Sequence, residues 1–135
     1  MSATFLAIVR GEQHVHVVAQ DARHVAWLAE RPVRPGHVIV ATRAVVDAVW
    51  DLDAVGHAAL WAFVHQVAQQ LRERLPCQRV CVSVIGWVVR HAHVHLVPTE
   101  APGQVPGLDG PPLPEATMVA LAARLTATEL PDAPR

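Results

Sequence analysis

Apolar and polar positions divide the chain into short extended runs placed on either side of one long helical stretch. Val15 to Gln20 (VHVVAQ) and His24 to Ala29 (HVAWLA) are β-rich runs, and the Asp21-Ala22-Arg23 break between them has the composition of a hairpin turn. Glu30 to Gly36 (ERPVRPG) carries two prolines and a glycine, which break any regular element, so the chain must turn there. His37 to Thr42 (HVIVAT) follows as a third strand, continuous enough in Val and Ile to lie inside a sheet.

From Asp51 to Leu75 the period changes to that of a helix. Leu60, Phe63, Val64, Val67, Leu71 and Leu75 recur at three-and-four spacing, Asp51 or Asp53 can cap the start, and Arg72 and Arg74 suit the negative C-terminal end. Pro76 ends it. Two more strands are expected at about Arg79 to Ile85 and Val88 to Val97, with a tight turn at Gly86-Trp87 between them. Residues 98–113 are dense in Pro and Gly and read as loop. Residues 114–130 read as a closing helix, with Pro114 in its first turn and Val119, Ala122, Ala123 and Leu125 as its packing face. The sum is a single α+β domain over residues 1–135: a meandering antiparallel sheet of about five strands, one long helix packed on it, and a C-terminal helix.

Composition narrows the chemistry. Acidic and basic residues nearly balance, for a formal charge of −1, and no run of one sign suggests a nucleic-acid polymer or a membrane surface as partner. Lysine and tyrosine are absent, which excludes lysine Schiff-base and tyrosine general-acid mechanisms; with asparagine also missing, the bias suits a GC-rich coding genome. Cys77 and Cys81 form no C-x-x-C pair and read as reduced packing residues. The N-terminal stretch lacks the form of a signal peptide, and no segment reaches the ~18 apolar residues of a membrane span, so a cytoplasmic location is expected.

Against this background His91 to Pro98 (HAHVHLVP) stands out. Side chains alternate across a strand, so His91, His93 and His95 share one face about 6.6 Å apart, while Ala92, Val94 and Leu96 turn to the other face, toward the helix. Four uses compete: a solvated histidine-rich face, a metal site, acid–base chemistry, and direct attack on phosphorus by an imidazole. Acidic ligands near the three histidines are lacking, since Glu100 lies beyond Pro98 in a loop. The other close pair, His14-Val15-His16, reads as a solvated strand face and is assigned no role.

His91-Ala92-His93-Val94-His95-Leu96-Val97 resembles the signature of the histidine triad (HIT) family, three histidines alternating with apolar residues and followed by two more. The resemblance extends over most of the chain, through Phe5 to Glu12, His24 to Val40 and Trp50 to Leu75. It implies a nucleotide hydrolase or transferase acting at a phosphoramidate, phosphoanhydride or phosphoester bond. His93 would be the nucleophile that takes the phosphoryl group, with His91 and His95 contacting its oxygens or protonating the leaving group. It implies no metal or redox cofactor, a small phosphorylated molecule as substrate, and a homodimer built partly through the long helix and the sheet edge.

The chain also departs from the family pattern. Ala29 replaces the aspartate that meets the ribose, and Trp87 and Val88 replace the glutamine and hydroxyl residue that usually touch the phosphate or leaving group. Ser83 stands where an asparagine is common, Ala44 where a fourth histidine often lies, and the N-terminal zinc-binding cysteines of some members are absent. Trp87 and Val88 would give the site an apolar rim; Trp27 and Ser83 are further candidate contacts. Arg90, Arg43 and Arg34 could bring replacement positive charge. Alternatives are a repurposed triad doing acid–base chemistry on a non-nucleotide ligand in a biosynthetic pathway, or a non-catalytic binding member.

Overall fold

A computed structural model describes residues 3–105, 107 and 109–127 of the chain. Among the described residues three α-helices, α1 (Ala3–Val9), α2 (Ala54–Arg74) and α3 (Glu115–Thr126), accompany five strands, β1 (Val17–Gln20), β2 (His24–Leu28), β3 (Val38–Thr42), β4 (Arg79–Ser83) and β5 (His93–Thr99). The strands form one antiparallel sheet in the order β1-β2-β3-β5-β4, so β3 is central, as its unbroken Val and Ile content predicts. Among the described residues no helix is long and apolar enough to cross a membrane.

Pairing register gives the sheet two different faces. Ala26, Val40 and Val94 form one cross-strand row and Leu28, Val38 and Leu96 another; both bury against Leu60, Phe63, Val64, Val67 and Leu71 of α2. The rows between them, Val25-Ala41-His93 and Trp27-Ile39-His95, point the opposite way. That second face carries a smaller apolar cluster, in which α1 lays Phe5, Ile8 and Val9 against Val25, Trp27 and Ala41. The sequence pattern does not announce α1, because about two turns of mostly apolar residues have no resolvable period.

The long helix follows its sequence signals closely. Asp53 is its N-cap and accepts a hydrogen bond from the Gly56 amide at 2.7 Å, and Arg72 and Arg74 occupy the last turn. Asp51 instead closes a short 3-10 turn, Val49–Asp51. In α3 the buried side chains are Met118 and Leu125, with Leu121 and Ala122 half-buried, whereas Val119 and Ala123 face outward. The packing stripe is therefore rotated from the expected one, toward the larger side chains. Pro114 lies just before the helix rather than in it, and residues 128–130 of the expected helix fall outside the described residues.

The largest departure lies at the triad strand, which begins at His93 and not at Val88. The β4–β5 ladder stops at Ser83 opposite His95, and residues 84–92 leave the sheet as a loop in place of a tight turn. Ala92 explains this. Its amide donates to Val46 O at 2.7 Å and its carbonyl accepts from Thr42 N, so the chain here bonds to the end of β3 and the segment after it. The expected loop from residue 98 is likewise shortened, since β5 continues through Pro98 and Thr99.

Candidate active site around His93

The sheet face opposite α2 brings the three histidines together. The rings of His93 and His95 meet edge to face with centroids 5.0 Å apart, and the Phe5 ring stands 5.0 Å from His93 and 6.1 Å from His91. Phe5 also packs edge-on against Trp27 at 5.1 Å, so α1 covers part of the histidine face and Trp27 supports it from β2. All three imidazoles are buried.

Hydrogen bonding assigns the protons. His93 Nδ1 lies 2.6 Å from the carbonyl oxygen of His91; a carbonyl only accepts, so Nδ1 carries the hydrogen and the neutral ring keeps a bare lone pair on Nε2. His91 Nε2 donates in the same way to Thr42 O at 2.6 Å. Among the described residues His91 Nδ1 has no partner although it is buried, a state that costs roughly 1–3 kcal/mol unless a ligand or water satisfies it.

His95 is set through a fourth histidine. The Val33 amide donates to His37 Nδ1 at 3.1 Å, which makes Nδ1 an acceptor and places the hydrogen of the neutral His37 ring on Nε2. That Nε2 faces His95 Nδ1 at 3.0 Å and donates to it. His95, in turn, must carry its own hydrogen on Nε2. Gly36 makes this alignment possible: its φ of +92° suits glycine, and a Cβ there would come within 2.6 Å of the Leu75 side chain. Burial keeps these rings neutral. It pushes His37 down to about 4 and His95 down to about 3, the latter helped by the neighbouring His93 and His37, and it also lowers His93.

Beside His91 and His93 opens a cavity of about 280 Å³. Its walls come from residues 47–51, from Val84 to Trp87, and from Arg90 to His93. Trp50 and Trp87 stand at its exposed side, 71% and 82% accessible, and give it an aromatic rim. Arg90 lines it too, but its guanidinium grips both carboxylate oxygens of Asp47, the closest contact being 2.7 Å. Val88 is 94% exposed and does not line the cavity. Ser83 pairs with His95 across the β4–β5 ladder, and Trp27 is fully buried beneath Phe5.

The other two arginines considered for phosphate binding have internal partners. Arg34 donates to Pro98 O, and Arg43 donates to Asp21 O, Val9 O and Gln20 Oε1. Ala29 is buried and offers only a methyl group where a ribose-binding acid would stand. The sequence alone did not single out His37, Phe5, Asp47 or Trp50. For His37 a signal existed: a histidine opening a Val-Ile strand is destined for burial and must find a partner. The others come from segments with no periodic pattern.

Comparison with known proteins places these features in context. The family model described as the HIT domain matches residues 10–101. An uncharacterised HIT-like protein of Saccharolobus solfataricus is 29% identical over 100 residues, which cover 70% of this chain and 72% of that one. A bis(5'-adenosyl)-triphosphatase of Dictyostelium discoideum is 27% identical over 73 residues, half of each chain (50% and 49%). In three dimensions, a hypothetical histidine triad nucleotide-binding protein of Sulfolobus tokodaii superposes with a TM-score of 0.82 at 21% identity, covering 92% of this chain and 89% of that one.

Proposed function

The chain belongs to the HIT domain family, and from that premise we propose that it is a hydrolase or transferase acting at phosphorus of a nucleotide-like substrate, through a covalent intermediate on His93. The observation that carries this reading is the 2.6 Å hydrogen bond from His93 Nδ1 to His91 O. It fixes the one neutral tautomer whose Nε2 can attack, in a ring that borders the cavity. Similarity to a dinucleoside triphosphatase supports the phosphoanhydride class of substrate.

The chemistry then runs in two displacements. The Nε2 lone pair of His93 forms an N–P bond while the bond from phosphorus to the leaving group breaks, its electron pair departing with that group. His95 Nε2–H donates a hydrogen bond to the leaving oxygen or nitrogen and keeps its proton; a phosphate departs as the anion, and an amine takes its proton from solvent. Water next attacks the phosphoryl-imidazole and loses its proton to solvent, while the N–P electrons return to His93 Nε2. His95 Nε2–H faces the developing charge and His91 holds the nucleophile through its carbonyl oxygen, so that orientation and electrostatic stabilisation come from the residues flanking His93. These steps use no metal or redox group.

Recognition differs from a standard nucleotide site. Ala29 supplies no ribose clamp, while Trp87 and Trp50 offer flat apolar surface at the cavity mouth. Arg90, Val88, Ser83 and Trp27 are proposed as secondary contributors, Trp27 through its support of Phe5. The same features favour, as the second reading, a triad acting as acid and base on a non-nucleotide ligand. A homodimer is also proposed: β4 is a sheet edge, and Val82 and Ile85 at its end are 45% and 55% exposed.

The test is to incubate the protein with adenosine and guanosine phosphoramidates and dinucleoside polyphosphates and to follow both turnover and intact mass. A nucleotidyl adduct that a His93→Ala variant fails to form is the expected result. Neither turnover nor adduct across the panel overturns the proposal in favour of the second reading. Sizing in solution tests the dimer, and a clean monomer contradicts it.

A further inference from the structure

The pair His14 and His16, unassigned in the sequence, acquires a third neighbour in the fold. Glu115, 99 residues away from His16, places Oε1 at 2.8 Å from His16 Nε2. The His14 and His16 rings stand 5.2 Å apart, and one ligand atom from each of the three side chains lies within 4.8 Å of the others. Glu30 lines the same surface pocket. We propose that His14, His16 and Glu115 form a site for a zinc-class divalent metal ion, which ties the segment before β1 to the start of α3.

The donor set argues for this class. Two imidazoles and one carboxylate suit Zn²⁺ and its borderline neighbours, whereas Mg²⁺ and Ca²⁺ want oxygen alone. Bonds of about 2.0–2.1 Å to a tetrahedral ion put ligand atoms ~3.3 Å apart, so the cluster needs only side-chain adjustment to close. His16 O accepts from Leu28 N at 3.0 Å, which anchors the backbone of the histidine pair to the sheet. Glu115 lies in the first turn of α3, whose Met118 is part of the main core. Both halves of the site are thus held by structure that exists without the ion, and water can fill the fourth position. The site is also separate from the triad, because β1 and β5 are three strand spacings apart, about 14 Å.

Metal-free full-length protein titrated with Zn²⁺ by calorimetry, and with Co²⁺ by its visible spectrum, tests the proposal. One ion per chain is expected, with a tetrahedral Co²⁺ spectrum and a melting temperature that rises with Zn²⁺. His14→Ala, His16→Ala and Glu115→Gln should each weaken binding by at least the ~10–100-fold typical of disturbing a supporting contact at a metal site. Glu115→Gln keeps shape at an exposed position and guards against a folding artefact. His93→Ala should bind as the parent does. The proposal is overturned if no saturable binding occurs, or if His93→Ala abolishes binding that the other three variants leave intact.

Discussion

His37 Nε2 sits 3.0 Å from His95 Nδ1, joining two buried rings 58 residues apart in sequence. With Val33 N–H occupying the far nitrogen of His37, the direction of that bond is fixed, and so is the tautomer of His95. Long-range proton–nitrogen NMR correlations at pH 7 should therefore report hydrogen on Nδ1 of His93 but on Nε2 of His37 and His95. A hydrogen on Nδ1 of His95 would instead leave its Nε2 with no hydrogen to donate.

His37→Leu tests the same relationship through function. The substitution removes the donor that fixes the tautomer and orientation of His95, so turnover should fall roughly 10²-fold, about what one preorganised hydrogen bond to the developing charge supplies. His93→Ala should cost far more, on the order of 10³-fold or beyond. The two are separable by mass: the His37 variant still forms the covalent adduct slowly, while the His93 variant forms none. Equal losses with no adduct in either case would assign His37 a purely architectural role.

Stability should depend on acid in a defined window. His37 and His95 are neutral in the folded chain down to about 4 and about 3, but titrate near 6.5 once unfolded. Below 6.5 the unfolded state binds protons that the folded state refuses, so stability falls as pH falls from 6.5 toward 4. Each ring contributes a slope approaching 1.4 kcal/mol for every pH step in that range. Above about pH 7.5 neither ring contributes further change. Urea unfolding at pH 7.5, 6 and 5 measures the slope, and His37→Gln should flatten it; a parent protein equally stable at all three values would contradict the neutral, buried assignment.

Much of this molecule is legible before any coordinates. The apolar period of Leu60 to Leu71, a cap at Asp51 or Asp53 and the Val-Ile strand before Thr42 each follow from local physics, and the α+β architecture follows from them. The histidine face was equally readable, since alternation alone sends His93 and His95 away from Val94 and Leu96. What could not be read were relationships made by distant segments. No local rule pairs His37 with His95, brings Glu115 to His16, or bonds Ala92 to Val46 so that the strand starts late. The α1 helix is invisible for a related reason: seven residues hold too little pattern, and its stability comes from Phe5, Ile8 and Val9 finding the second sheet face.

Phe5 links that helix to the site and gives the last prediction. Its ring touches Trp27, His93 and His91 at once, and only 8% of it is exposed. Phe5→Ala should cost about 3 kcal/mol of stability by the usual penalty for emptying an aromatic position. Because the ring also contributes to the burial that lowers His93, the variant should shift the acid limb of the pH–rate profile upward, toward the 6.5 of an ordinary imidazole. Phe5→Leu, which refills most of the volume with apolar atoms, should recover most of both. If Phe5→Ala lowers stability as expected yet leaves the acid limb in place, α1 serves as a structural cover and the desolvation of His93 comes from the sheet alone.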